Sequence, residues 1–290
     1  MGETFLITGA TGGTSGLVLA ALRARGANVR ALVRDETKAS RLADLGATLV
    51  LGDFNDPSSL ARAIEGVTSV FLLTPPRQDD LTMVERFLAA STESRARPRV
   101  VRLSAIKACE GGPTESSRSH GRIDSALVNS GLPYTILRPS FFMQNFLGSA
   151  ETIAATGALV QGAGEGRIGF IDVRDIADVA TAVLLDRSWD RGIYDLTGPA
   201  TLSFHEVARE LGAALARDVK YTPVTPEQIR KSIVDMGWGD WSANLMADYS
   251  RAYASGWGDF TTSFVEKITG NAPRTLADFA REVFAPKVRG

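Results

Sequence analysis

Over the first half of the chain, short runs of uncharged β-forming residues alternate with stretches whose apolar residues recur at helical spacing. Phe5 to Ile7 form the first run, and Leu17-Val18 with Ala21-Leu22 put an apolar stripe on the helix that follows. Val29 to Val33, Thr48 to Leu51, Val70 to Leu73 and Val100 to Leu103 are predicted as the next four strands. Helical stretches lie between them around Thr37 to Leu45, Pro57 to Ile64 and Leu81 to Ser94. Asp56 before Pro57 supplies a capping carboxylate and a first-turn proline, so a helix is expected to start there. Repeated βα units imply a parallel sheet covered on both faces, with ligands at the carboxyl ends of its strands. The predicted fold class is α/β, a Rossmann-type doubly wound parallel sheet.

The pattern changes after Pro139. Ser140-Phe141-Phe142-Met143-Gln144-Asn145-Phe146 is rich in aromatic and amide side chains, and from Tyr221 onward the chain reads as helices broken by Pro223, Pro226 and glycines. Trp238, Trp241 and Trp257 fall here with Tyr249, Tyr253 and Phe260. Each helical aromatic alone reads as core; together they suggest a lobe that closes on a flat, apolar ligand. The expected division is residues 1–140 as a dinucleotide-binding core and 141–290 as a mixed segment that completes the sheet and forms a smaller, mostly helical C-terminal substrate lobe.

A length of 290 residues suits one large or two modest domains, and a formal net charge of −1 argues against nucleic acid or an anionic membrane as the main partner. Cys109 is the only cysteine, which leaves no internal disulfide or thiolate cluster, and His120 and His205 are too far apart in sequence to suggest a metal site. No apolar run approaches membrane-spanning length and the first strand begins too soon for a signal peptide, so a cytoplasmic protein is expected.

The chemistry begins at the first strand end, where Thr8-Gly9-Ala10-Thr11-Gly12-Gly13-Thr14-Ser15-Gly16 links strand to helix. Gly9 and Gly12 remove side chains where backbone must approach a diphosphate, and the free N–H groups that open the helix face that anion, with Thr11, Gly13 and Thr14 in the same cradle. A plain strand-to-helix turn is the bland alternative. The second strand ends in Arg34, which suits a ribose 2′-phosphate and so NADP(H) over NAD(H); alternatively Arg34 is solvated and Asp35 meets the ribose. At the third strand end Asp53 suits the adenine amino group and Phe54 its ring, unless Asp53 only caps local backbone. Thr74 and Pro75 close the fourth strand on the nicotinamide side, and Ser104 closes the fifth beside the same crevice.

Ile7-Thr8-Gly9-Ala10-Thr11-Gly12, Arg34, Asp53, Ser104 and the run Ser130-Gly131-Leu132-Pro133-Tyr134-Thr135-Ile136-Leu137-Arg138-Pro139 together resemble the NmrA-like branch of the atypical short-chain dehydrogenase/reductases. Residues 164–177 and 194–199 continue the resemblance, and Thr269-Gly270-Asn271-Ala272-Pro273-Arg274-Thr275 makes the chain most similar to agroclavine dehydrogenase-type reductases of ergot alkaloid pathways. The similarity covers essentially the whole chain. It implies a cofactor contact at Pro139 and a substrate pocket roofed by Phe141, Phe142 and Asn145, with Trp238 from the aromatic lobe as a further substrate contact.

The chain departs from the family pattern at three places. Ser15 stands where members commonly carry a third glycine. The Tyr-x-x-x-Lys pair of ordinary short-chain dehydrogenases is missing: His120 takes the place of the lysine of isoflavone-reductase relatives, and Ser116 that of the tyrosine. His120 is expected either to donate a proton or to hydrogen-bond cofactor or substrate, with Ser104 as the second catalytic group; the alternative is a surface histidine at a helix start. Hydride transfer from NADPH to an iminium, a quinone-type carbon or an activated C=C of an aromatic or polycyclic molecule is the expected reaction, because such acceptors need little acid catalysis. The competing class is a non-catalytic NADP(H)-binding redox sensor that regulates a protein partner. Oligomeric state is not indicated.

Overall fold

The structure, a computed structural model, describes residues 2–35, 37–75 and 77–289. In chain order its first elements are β1 (Thr4–Ile7), α1 (Gly13–Ala24), β2 (Asn28–Val33), α2 (Ser40–Asp44), β3 (Thr48–Leu51), α3 (Pro57–Ile64), β4 (Ser69–Leu72), α4 (Asp80–Glu93), β5 (Arg99–Leu103), α5 (Glu115–Asn129) and β6 (Tyr134–Pro139). There follow α6 (Ala150–Thr156), β7 (Ala158–Gln161), β8 (Arg167–Ile168), α7 (Val173–Leu185), β9 (Ile193–Leu196), β10 (Leu202–Ser203), α8 (Phe204–Leu215) and β11 (Lys220–Pro223). Helices α9 (Pro226–Asp235), α10 (Gly239–Ala254), α11 (Phe264–Thr269), α12 (Leu276–Phe279) and α13 (Ala285–Arg289) complete the chain.

Seven strands form one sheet in the order β3-β2-β1-β4-β5-β6-β9. Phe5 pairs in parallel with Val29 on one side and Ser69 on the other, so the strand order reverses at β1, where open α/β sheets place their ligand crevice. Every residue of β4 and β5 is buried; β4 is accordingly almost wholly apolar, and the two arginines of β5, Arg99 and Arg102, are paired with Asp190 and Asp124. Asp56 caps α3 as expected, accepting from the Ser58 N–H at 3.0 Å with Pro57 in the first turn. In α1 the buried stripe is Val18, Leu19 and Leu22, while Leu17 is 39% exposed. The stripe is thus rotated from the expected Leu17-Val18 edge, because Thr14 and Ser15 of the turn are also buried and fix which face of the helix meets the sheet.

The chain divides into two compact units that are interleaved in sequence. The first comprises Met1–Glu110, Ser119–Arg138 and Ile176–Tyr194. Its core joins Leu6, Val70, Leu72 and Val100 of the sheet to Val84 and Phe87 of α4 and Ile123 and Leu127 of α5. Each such side chain contributes roughly 1.5–3 kcal/mol by leaving water. The second comprises Gly111–Arg118, Pro139–Asp175 and Asp195–Gly290. It holds two small sheets, β7 with β11 in parallel and β8 with β10 antiparallel. Its core is aromatic: Phe141, Phe146, Phe170 and Phe204 lie within 5.3–6.3 Å of one another, ring to ring. No helix is long and apolar enough to cross a membrane among the described residues.

Candidate functional site

At the end of β1 the side chain of Thr8 is fully buried, donates to the Leu73 carbonyl at 2.8 Å and accepts from the Leu73 N–H at 2.8 Å. This couples the ends of β1 and β4 across the point of strand reversal. Gly9 then turns with φ +60, a conformation that calls for glycine, and a Cβ on it would crowd the Leu73 carbonyl oxygen at 3.2 Å. The Gly12 N–H donates to the Gly9 carbonyl at 2.8 Å and closes the turn.

Helix α1 opens with no side-chain cap and no acidic residue in its first turn. Its first N–H groups therefore have no internal acceptor, and Gly13 has open space where a Cβ would stand. Ser15, at the position of the missing third glycine, is fully buried and its hydroxyl has no partner among the described residues. Uncapped donors, a bare backbone and a free helix N-terminus fit a diphosphate. Thr11, Gly12 and Gly13 are exposed to it, and Thr14 lies beneath.

Arg34 follows β2, is exposed, and has no hydrogen bond or ion pair among the described residues. The adjacent carboxylate is engaged locally: Asp35 Oδ1 accepts from the Thr37 N–H at 2.9 Å and its hydroxyl at 2.6 Å. Asp53 likewise accepts from the Asn55 N–H at 2.8 Å, the local capping weighed above. Phe54 is 9% exposed and packs on Phe87 at 5.8 Å, a core position. Thr74 is half-buried and Pro75 exposed after β4, while Pro139 is buried at the end of β6.

Beyond β5 lies a buried polar cluster. Ser104, 6% exposed, donates its hydroxyl proton to Asp124 Oδ2 at 2.9 Å. Asp124, on α5, also accepts from Arg102 on β5 and from Arg138 Nε on β6 at 2.9 Å. A second Arg102 nitrogen lies 2.9 Å from His120 Nδ1. Burial first, then the charges of Arg102 and Arg138, hold the His120 pKa down at about 3. His120 is thus a half-buried crevice group of α5, not a surface helix-start residue, and it does not carry the cationic proton donor weighed from the sequence. Arg102, Asp124 and Arg138 were not singled out as functional in the sequence. Their signals were a lone cation in the apolar run Val100-Val101-Arg102-Leu103 and the four-residue spacing of His120 and Asp124 on one helix.

In the second unit Phe141 is half-buried, with its ring 5.3 Å from Phe170 and 5.9 Å from Tyr253. Phe142, also half-buried, bridges to Ile171, and Asn145 is exposed. Trp238 precedes α10 with 64% of its surface exposed and is not part of the aromatic cluster. Tyr249 stacks on Tyr253 at 5.8 Å and donates its hydroxyl to Ser116 Oγ at 2.7 Å, a pairing not anticipated at the position of the missing tyrosine. Burial raises the Tyr249 pKa.

A family model described as NAD(P)H-binding matches residues 9–187. The chain is 33% identical over 279 residues to the NAD(P)H azoreductase of Xenophilus azovorans, an alignment covering 95% of this chain and 96% of the relative. To the agroclavine dehydrogenase of Claviceps fusiformis it is 29% identical over 286 residues, covering 96% of each. The solved structure of the NADPH-dependent quinone oxidoreductase of Escherichia coli, complexed with NADPH, matches with a TM-score of 0.88 at 24% identity, over 97% of this chain and 99% of that one. At that identity the likeness bears on the fold.

Proposed function

The chain belongs to the NAD(P)H-binding family, and on that premise we propose that it is an NmrA-like, NADPH-dependent reductase of aromatic or polycyclic small molecules, delivering hydride to an electrophilic carbon. It is an NAD(P)H-dependent oxidoreductase; the acceptor and its reacting carbon are the proposal. Gly9, Thr11, Gly12, Gly13 and Thr14 would hold the diphosphate and Arg34 the 2′-phosphate, with Asp53, Thr74, Pro75 and Ser104 along the strand ends. When bound, the nicotinamide supplies the hydride.

The observation that carries the choice of acceptor is the protonation state of the candidate acids. The Ser104 proton is committed to Asp124 and His120 is neutral. A ketone takes hydride only as a proton arrives at its oxygen, whereas an iminium or another cationic, delocalised carbon needs none. Quinones and quinone methides take their proton from water after the hydride. The name of the quinone oxidoreductase relative supports an acceptor of this class, and that of the azoreductase relative supports an aromatic substrate. Phe141, Phe142, Asn145 and Trp238 are the proposed substrate contacts, flat side chains suited to flat ligands.

The test is consumption of NADPH with iminium salts, quinones, azo dyes and triarylmethane dyes, beside simple ketones. Turnover confined to the first group is expected. Consumption with none of them, together with a protein partner whose association differs between NADP⁺ and NADPH, would replace the enzyme with the redox sensor.

A further inference from the structure

The cluster behind Ser104 and His120 contains equal numbers of fixed charges. Arg102 on β5 and Arg138 on β6 face Asp124 on α5, and Asp80 on α4, 7% exposed, adds a second carboxylate that acts on Arg102 and accepts from the Ser119 hydroxyl at 2.8 Å. Two cations and two carboxylates are balanced only while the His120 ring is neutral. The hydrogen bonds impose the same condition. Arginine has donors and no acceptor, so the 2.9 Å contact from Arg102 requires a lone pair on His120 Nδ1, and the ring proton must sit on Nε2. Asp124, receiving two guanidinium groups, likewise accepts the Ser104 hydroxyl hydrogen bond, which leaves the serine oxygen only its lone pairs to offer a ligand.

We propose that Arg102 and Asp124 are positioning residues that set the hydrogen-bond polarity of the site, fixing Ser104 as an acceptor and His120 as a neutral Nε2–H donor. This rests on the reading above that Ser104 and His120 line the site. A site so set takes ligand groups that accept at His120 and donate at Ser104, as a hydroxyl or a primary amide does, and it moves no proton from either residue. The same arrangement explains how a histidine occupies a lysine's place without bringing a charge: a cationic ring would confront Arg102 with N–H against N–H.

The experiment is nitrogen-detected NMR of protein labelled at histidine, which has only His120 and His205 to observe, with His205→Gln to assign them. In the wild-type protein His120 should show a protonated Nε2 and bare Nδ1, unchanged between about pH 5 and 8. In Arg102→Met the tautomer should become mixed and the ring should titrate within that window, and kcat/KM should gain an inflection that the wild type lacks. Asp124→Asn, which leaves Arg102 and Arg138 facing one carboxylate fewer, should loosen the tautomer without bringing the ring into that window, and Arg102→Lys should keep the cation yet lose the fixed tautomer. A wild-type ring protonated on Nδ1, or titrating within the window, would overturn the proposal without any variant having to fold. Because this readout needs no substrate, it stands or falls separately from hydride transfer.

Discussion

His120 opposes its own protonation to the folding of the chain. Its ring has a pKa of about 3 in the native protein, lowered by burial and by Arg102 and Arg138, against about 6.5 for an unfolded chain. Between those values the unfolded chain binds a proton that the native ring refuses, so this contribution to stability is complete above 6.5 and is lost as pH falls. Between pH 7 and 5 the loss should be about 2 kcal/mol, read as a drop in the urea midpoint that His120→Gln abolishes. At the same scale, Arg34→Ser should weaken NADPH binding by about 2 kcal/mol while leaving NADH nearly unchanged, the value of a charged hydrogen-bonded contact. Equal losses in titration calorimetry would detach Arg34 from the 2′-phosphate. Arg34 was legible because strand periodicity alone fixes a strand end. The Arg102, Asp124 and Ser104 cluster was not, since it forms between residues about twenty positions apart on different elements, and no local pattern records that meeting. Phe54 was placed at the correct strand end but misread in character, for its ring turns into the core against Phe87.

At the level of elements, the first five strands were read to within a residue because each is a short, largely apolar run bounded by turn residues, whereas β7 to β11 are too short and mixed in pattern to stand out. What the periodicity left out was close packing. Gly121 lies one residue beyond His120 in α5, and a Cβ there would collide with the backbone of Cys109, which makes this glycine the seat of a helix-to-loop contact that sequence spacing does not announce. The turn before α1 separates two roles that its glycines share in the motif. Gly9, at φ +60 and against the Leu73 carbonyl, is needed for the fold, and Gly9→Ala should lower the melting temperature by an amount corresponding to roughly 1–2 kcal/mol or more. Gly12 has φ −82 and ψ 160, which a branched residue adopts readily, and the one tight approach, 3.2 Å from a Cβ to the Gly9 carbonyl oxygen, asks for a shift of a few tenths of an ångström. Gly12→Val should therefore leave the circular-dichroism melt within a few degrees of wild type while removing NADPH binding in a fluorescence titration. Retained binding would move the diphosphate away from this turn.

Over the whole molecule, apolar pattern identified the fold class, but the two units are assembled from segments that no linear reading would sort: Gly111–Arg118 belongs with the second, Ile176–Tyr194 with the first. Stability is correspondingly uneven within the second unit. Helix α8 buries Phe204, Val207, Ala208 and Leu211 and is closed by a capping box between Ser203 and Glu206. Helix α9 is capped as well, by Thr225 and Gln228, yet none of its side chains is fully buried, and Ile229, half-buried against Gly162, is its main apolar hold. What ties it down includes exposed pairs such as Arg251 with Glu227 and Arg230, at 2.5 Å, with Asp240 of α10, contacts worth at most about 1 kcal/mol each in water. Local opening draws on buried apolar contact, so α9 should open before α8. Hydrogen-exchange mass spectrometry should find the amides of residues 226–235 exchanged well before those of 204–215, and added salt should widen the gap by screening the pairs. Equal protection of the two helices would mean that α9 is held by a contact stronger than its surface ion pairs.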